Sequence, residues 1–394
     1  LFQRVRSLNW KNWCRNTPKR QEELVKLLLI APLSEEFSGV RNYGDPPLGP
    51  HRLASFLLSH GQDVTIYDCN IHGPIDPYLQ KEYDIIGISI LNDTLVSSLE
   101  MFIKLNKRYP DAVLVAGGAE AILNYQEIFD NTDVDIVILG EGELPLLDLC
   151  EGEKPIQEIK GIIYRNRGQE VTNDLLWEYY KDFDFRRMGY DKYWEKRKQY
   201  TPENMIFKTV RLVTSSHCNH RCSFCSVTRM HEFTCGKIIP PAYLEKDKLI
   251  ILLNRIKEQI PETTRIYFCE DSVFTLRKRT DEFIEALREC PQFDYLIQTE
   301  TDKVDENIIR RLAEVKVIHI SFGVENCSPR IRELMGKPQN EEKIENIINW
   351  CNEFNIQCYY LIILFSPEST IEDLEINYKT LTRWQEEKKV IISI

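Results

Sequence analysis

The densest group of reactive side chains is the run Cys218-Asn219-His220-Arg221-Cys222-Ser223-Phe224-Cys225, with three thiols directly after an apolar, strand-like stretch. Thiolates at this spacing hold a metal centre, and two kinds are open. A cubane of four irons and four sulfides takes one protein ligand per iron, so three cysteines leave one iron free for a chelating small molecule. Zinc asks for four ligands, and Cys235, His217 or His220 could complete a tetrahedral set. Further along, polar strings follow apolar runs: Phe268-Cys269-Glu270-Asp271-Ser272-Val273-Phe274, Ile320-Ser321-Phe322-Gly323-Val324-Glu325-Asn326, and Leu364-Phe365-Ser366-Pro367-Glu368-Ser369-Thr370. Taken singly, Glu270-Asp271 reads as a helix cap and Glu325 as a solvated loop carboxylate. Their recurrence at successive strand ends, after the cysteines, favours one shared site. Cys269, Cys290, Cys327, Cys351 and Cys358 read as small core residues.

The elements that must position these groups are legible from periodicity. From Arg211 onward the strands read as Leu212 to Ser215, Arg265 to Phe268, Tyr295 to Gln298, Val317 to Phe322, Cys358 to Leu364 and Val390 to Ile394. Amphipathic stretches separate them, among them Leu249 to Gln259, Arg279 to Arg288, Glu306 to Ala313 and Glu341 to Phe354. Six βα-type strands predict a partial (β/α)6 barrel over residues 211–394, working at the carboxyl ends of its strands. Residues 24–150 carry a second α/β series, with strands at Leu27 to Ile30, Val64 to Tyr67, Ile85 to Ile90, Val113 to Ala116 and Ile136 to Leu139. Helical patterns lie at Gly49 to His60, Leu95 to Arg108 and Tyr125 to Phe129. Short buried strands alternating with helices predict a doubly wound, Rossmann-like parallel sheet. Between the two, residues 151–210 read as a connector. It has a hairpin, Ile162 to Arg165 and Glu170 to Thr172 around Asn166-Arg167-Gly168, and an aromatic-rich segment from Trp177 to Tyr200. Residues 1–23 form a basic extension with Trp10 and Trp13, read as a surface helix or arm.

Cys218, Cys222 and Cys225, with Phe224 before the last cysteine, resemble the cluster loop of the radical SAM superfamily. The resemblance implies a 4Fe–4S cluster whose free iron is chelated by S-adenosylmethionine (SAM). Glu270-Asp271-Ser272 is similar to the acidic pair that receives the SAM amino group, with Glu270 in place of a more usual Asp. Ser321 to Glu325, followed by Met335-Gly336-Lys337, is similar to the glycine–hydrophobic–glutamate signature near the ribose and methionine parts of SAM. The string at Leu364 to Thr370 looks like the family's Gly-Phe-Pro-Gly-Glu-Thr turn with both glycines lost. The SAM residues implied are Phe224, Glu270, Asp271, Ser272, Ser321 and Glu325.

The first α/β series resembles the cobalamin-binding domain that precedes many radical SAM barrels. The matching stretches are Pro46-Pro47-Leu48-Gly49, Ser89-Ile90-Leu91, Gly117-Gly118 and Gly140-Glu141-Gly142-Glu143. Leu48, Ser89, Leu91, Gly117, Gly118, Gly140 and Gly142 are the implied cobalamin contacts. Ligands of open α/β sheets bind at the carboxyl ends of the strands, where glycine lets a backbone approach closely. The family's cobalt-ligating Asp-x-His-x-x-Gly is absent: Asp68-Cys69-Asn70-Ile71-His72-Gly73 stands at that strand end, and His72 reads as a turn residue.

By resemblance, the function is methyl transfer to an unactivated carbon through a 5′-deoxyadenosyl radical, with methylcobalamin as methyl donor. An external electron donor and a small-molecule or peptide substrate are implied partners. A cyclisation or rearrangement on the same scaffold is the alternative. A methylthiotransferase would need a second cluster, for which Cys14, Cys69 and Cys150 are poorly placed. A zinc-stabilised binding protein is the non-catalytic alternative. Bulk properties narrow the field: 43% hydrophobic and 28% charged residues argue against disorder, and a net charge of -11 disfavours a nucleic-acid partner. The sequence has 12 cysteines, no signal-peptide pattern and no membrane-length apolar run, which together predict a reduced, cytoplasmic protein. It begins at Leu1 and stops within a strand-like stretch, as a piece of a longer protein would.

Overall fold

A computed structural model describes residues 24–33, 45–75, 81–164, 167–168, 176–199, 207–235, 240–274, 276–388 and 390–393. The expected N-terminal arm, Cys14 and the second hairpin arm at 170–172 lie outside the described residues, as does the Cys235 side chain. The chain divides into two compact units, Leu1–Ile206 with Met230–Lys237, and Phe207–Arg229 with Ile238–Ile394.

The first unit is built on β1 (Lys26–Ala31), β2 (Asp63–Asp68), β3 (Ile85–Ser89), β4 (Val113–Gly117), β5 (Ile136–Ile138), β6 (Ile162–Tyr164) and β7 (Arg167–Gly168). They form one sheet in the order β2-β1-β3-β4-β5-β6-β7. The first five are parallel, and β6 and β7 add to the edge antiparallel. Successive strand residues point to opposite faces: Leu28, Ile30, Ile86, Ile88, Leu114 and Ala116 enter one core, Leu27, Leu29, Ile85, Val113 and Val115 the other. Two apolar faces need two covers, and this is why these strands carry unbroken apolar runs. The reversal of strand order between β1 and β3 creates a crevice at their carboxyl ends.

The connector is less independent than its composition suggests. Its hairpin extends the first sheet, and Tyr164 pairs with Arg167, so Arg167 and Gly168 lie in a strand where a turn is expected. Much of the aromatic segment is core: Tyr180, Phe183, Phe185, Tyr190, Tyr193 and Trp194 are buried.

The second unit contains β8 (Thr209–Leu212), β9 (Arg265–Phe268), β10 (Asp294–Thr299), β11 (Val317–Glu325), β12 (Gln357–Ile362) and β13 (Ile391–Ser393). These are all parallel and follow one another in sequence order across the sheet, which is the partial barrel expected. Alternate residues are buried against the helices, as where Phe268 meets Phe283 at 4.8 Å and Tyr360 meets Trp384 at 5.4 Å. The opposite register, Tyr267, Leu296, Gln298, Tyr359 and Leu361, is only half-buried. The first barrel strand differs from expectation. It ends at Leu212, and Ser215 instead makes an isolated antiparallel bridge to Tyr243. Thr214 and Ser215 leave the sheet because their side chains are held elsewhere, as described below.

Candidate active site

The loop carrying the cysteines begins where β8 gives out. It is short of regular structure, so its backbone is pinned by neighbours: Ser223 donates from N to Met335 O at 3.0 Å and from Oγ to Leu334 O at 3.2 Å. Gly336 lies at φ +67, and a Cβ there would stand 3.4 Å from Arg221 O. The Met335-Gly336 turn is thus a seat for the cysteine loop, a reason for its glycine that sequence reading had left unassigned.

Cys218, Cys222 and Cys225 line one cleft of the barrel unit together with His220, Phe224, Asp271, Gln298, Thr299, Glu300, Ser321, Gly323, Glu325 and Lys337. Asp271, Gln298, Thr299, Glu300 and Glu325 come from the carboxyl ends of β9, β10 and β11, Ser321 from within β11, His220 from the cysteine loop and Lys337 from the turn after the helix Pro329–Leu334. Glu325 is aimed by its backbone: it sits at φ +67, uncommon for a residue with a Cβ, beside a register shift between β11 and β12. Lys337 Nζ lies 2.6 Å from Glu300 Oε2 and 2.7 Å from Glu325 Oε1. A Cβ on Gly323 would come within 2.5 Å of both Lys337 Nζ and Glu325 Oε1, so glycine is what lets this pair form.

Electrostatics sort the cleft residues. Burial pushes the Cys218 thiol up to about 12, the His220 amide opposes this, and Glu300 and Asp271 add to it. Burial also raises Cys222, although Lys337 pulls the other way. Such thiols ionise when a metal cation takes the sulfur. Asp271 is raised by desolvation in the cleft and by Glu270, against His217 and the Cys218 amide. Glu325 is raised by burial, partly offset by Lys337. Lys337 is opposed by burial, but Glu300 and Glu325 more than reverse that and raise it. Three carboxyl groups against one ammonium leave an acidic surplus, suited to a ligand bearing amino or sulfonium charge. Among the described residues no three His, Cys, Asp or Glu side chains are grouped around a single metal ion. A cubane makes a different demand, since each of three thiolates takes its own iron.

Of the sequence-derived SAM residues, Phe224, Asp271, Ser321 and Glu325 line the cleft, and Glu270 and Ser272 do not. Glu270 and Ser272 are each 1% exposed. The Glu270 carboxylate accepts from Thr214 and Ser215, and Ser272 Oγ lies 3.5 Å from Thr299 Oγ1. Gln298, Thr299, Glu300 and Lys337 were missed. The signal was available for three of them, because Gln298-Thr299-Glu300 ends β10 as Glu270-Asp271 follows β9.

In the first unit, Ser89, Leu91, Gly117, Gly118, Gly140 and Gly142 gather where β3, β4 and β5 end, and Leu48 opens the helix Leu48–Ser59. Leu91 is 53% exposed, while Ser89 and Leu48 are half-buried. The paired glycines differ in kind. A Cβ on Gly118, at φ +95, would lie 2.4 Å from Ile90 O, whereas one on Gly117 would meet nothing nearer than Ile138 Cβ at 4.0 Å. Gly118 therefore serves strand-end packing and Gly117 leaves an open face. Gly142 is tight in a different way, against a side chain rather than backbone, with Leu53 Cδ2 3.0 Å from an added Cβ. His72 sits in the short helix Cys69–His72, its Nδ1 3.1 Å from Asp68 O and its ring 5.2 Å from Tyr67.

Comparison with known proteins agrees with this division. Residues 212–380 match the radical SAM superfamily and residues 41–149 match the B12 binding domain. The chain is 22% identical over 426 residues to cytidylyl-2-hydroxyethylphosphonate methyltransferase of Streptomyces wedmorensis, covering 90% of this chain and 76% of that protein. Its fold is similar to the radical S-adenosylmethionine methyltransferase TsrM from Kitasatospora setae, at TM-score 0.72 and 14% identity over 91% of this chain and 71% of that one. It is also similar in fold to the cobalamin-dependent S-adenosylmethionine radical enzyme OxsB, at TM-score 0.69 and 16% identity, spanning 91% of this chain and 52% of that one. No helix among the described residues is long and apolar enough to cross a membrane. A cysteine-bearing cleft at the strand ends of a partial barrel, preceded in sequence by a B12 binding domain, makes this chain a cobalamin-dependent radical SAM enzyme, with a 4Fe–4S cluster, SAM and cobalamin as its cofactors.

Proposed function

We propose that the enzyme transfers a methyl group to an unactivated carbon of a small molecule or peptide. The observation that carries the reading is the single cleft holding Cys218, Cys222 and Cys225 beside Asp271, Glu325 and Lys337. When bound, the cluster with SAM supplies a hydrogen-abstracting 5′-deoxyadenosyl radical, and cobalamin supplies the methyl group. Cys218, Cys222 and Cys225 would hold three irons of the cluster and leave the fourth free for SAM. Asp271 and Glu325 offer negative charge to the SAM amino and sulfonium groups, Ser321 offers a hydroxyl, and Phe224 walls the cleft at its mouth. Lys337 keeps Glu300 and Glu325 from repelling each other and fixes the direction of Glu325.

In the first unit, Leu48, Ser89, Leu91, Gly117, Gly118, Gly140 and Gly142 would hold cobalamin. Gly117 leaves the space, and Gly118 and Gly142 let the strand ends and the helix Leu48–Ser59 pack closely enough to shape it. An external electron donor supplies the reducing equivalents. The relatives named as methyltransferases support this reading over cyclisation or rearrangement.

The test is anaerobic reconstitution of the chain with iron, sulfide and cobalamin, followed by desalting and measurement of iron and retained corrin. About four irons and about one corrin per chain are expected. Turnover with candidate substrates then yields both 5′-deoxyadenosine and S-adenosylhomocysteine. 5′-Deoxyadenosine without S-adenosylhomocysteine would replace methyl transfer by a rearrangement or ring closure.

A further inference from the structure

We propose that Glu270 is a positioning residue for the cysteine loop and that Asp271 alone of the acidic pair faces the SAM side of the site; this rests on the cluster reading above. Adjacent residues after a strand have been turned in opposite directions. Asp271 lies on the cleft, and the Cys218 amide acts on its carboxyl by lowering its pKa. Glu270 points the other way and is 1% exposed.

Both Glu270 oxygens are committed. Oε1 accepts from Thr214 N at 2.7 Å and from the Thr214 hydroxyl, and Oε2 accepts from Ser215 Oγ at 2.5 Å. The Thr214 hydroxyl has one proton, which goes to Glu270, so it must accept from Arg279 Nη2 at 2.8 Å. Arg279 is fully buried, and its Nη1 donates to Leu244 O at 2.8 Å. A buried carboxylate and a buried guanidinium are thus joined through one hydroxyl, a fully directed network in which each charge answers the other.

The consequence falls on the residues that lead into the cluster. Thr214 and Ser215 lie two and three residues beyond the end of β8, and Cys218 follows three residues after Ser215. With Leu244 N donating to Thr214 O at 2.8 Å and Ser216 N to Ala242 O at 2.9 Å, this run is fixed on both sides. The approach to the first cluster cysteine is therefore held by Glu270, while its neighbour Asp271 lines the same cleft as that cysteine. An Asp at position 270 would stop about 1.5 Å short, one carbon–carbon bond, of donors placed at these distances.

The experiment uses the full, anaerobically reconstituted chain and compares wild type with Glu270→Gln, Ser215→Ala and Asp271→Asn. Readouts are iron release to a chelator, the EPR spectrum of the reduced cluster, SAM affinity and the urea unfolding midpoint. In Glu270→Gln an amide N–H faces the Thr214 or Ser215 donors. Iron release about tenfold faster is expected, the factor that one lost charge-assisted hydrogen bond represents. An altered EPR spectrum should accompany it, with SAM affinity nearly unchanged in the molecules that keep the cluster. Ser215→Ala keeps the charge and removes one donor, so it should shift both cluster readouts in the same direction by less, even if Glu270→Gln does not fold. Asp271→Asn should weaken SAM binding. Wild-type iron release and EPR in Glu270→Gln, or in Ser215→Ala where the first does not fold, would overturn the proposal. So would lost SAM affinity over an unaltered cluster in Glu270→Gln, which would make Glu270 a ligand contact. A lower urea midpoint with unaltered cluster readouts would reduce Glu270 to a fold residue. Wild type without a four-iron cluster would instead sink the cluster reading, and this proposal with it.

Discussion

The ammonium of Lys337 stands 2.6 Å from Oε2 of Glu300, and both side chains are shielded, at 7% and 11% exposure. Glu325 approaches the same ammonium at 2.7 Å. Removing the cation leaves two carboxylates close together in a poorly solvated cleft. Lys337→Met should therefore cost about 3 to 5 kcal/mol of stability in urea unfolding, the usual cost of orphaning a buried charge. A loss below about 1 kcal/mol would mean that the pair is solvated and contributes as little as a surface ion pair.

Gly117 and Gly118 are adjacent, and the structure separates them. Gly118→Ala combines a positive φ with a contact of 2.4 Å to backbone, which no side-chain rotation relieves. It should destabilise the first unit by about 3 kcal/mol or more, enough to lower the yield of folded protein. Gly117→Ala should leave unfolding within about 1 kcal/mol of wild type while reducing the corrin retained after desalting. Equal stability losses in the two variants would contradict the assignment of the open face to Gly117.

Among the cysteines, alanine at Cys218, Cys222 or Cys225 should each lower bound iron from about four per chain to a small residual amount. Cys269→Ala is the control. Its sulfur lies 3.3 Å from Leu212 O and outside the cleft lining, so iron content should not change. Iron measured after anaerobic desalting distinguishes the two groups, and loss of iron in Cys269→Ala would enlarge the ligand set.

His51 supplies a pH test within the first unit. It is 8% exposed on the helix Leu48–Ser59, and burial lowers its pKa from 6.5 to about 4. The folded chain keeps the imidazole neutral, while the unfolded chain takes up a proton below pH 6.5. Its contribution to stability is therefore complete above that pH and is lost as pH falls from 6.5 toward 4. Between pH 7.5 and pH 5 wild type should lose about 2 kcal/mol more than His51→Leu. Parallel slopes for the two proteins in urea unfolding at both pH values would show that His51 is protonated while folded.

The periodicity of the chain alone determined a good deal. Buried parallel strands must be apolar on both faces, so β1, β3 and β4 announce themselves as unbroken runs such as Leu27 to Ile30 and Ile85 to Ile88. The cysteine spacing likewise identified its loop, because three thiols that share one cluster must sit close in sequence when they come from one turn. The direction of Glu270 against Asp271 was not legible, since two neighbouring carboxylates after a strand look alike until the strand beside them is in place. Only the tertiary structure set Thr214 and Ser215 against Glu270, and in doing so ended β8 at Leu212 rather than Ser215. It also joined Glu300 to Lys337 and turned Gly118 into a packing residue against Ile90. Each of these depends on what a distant segment presents across a gap of a few ångströms. Local patterning encodes which residues must be buried, and hydrogen bonding between segments far apart in sequence decides where the remaining polar groups can point.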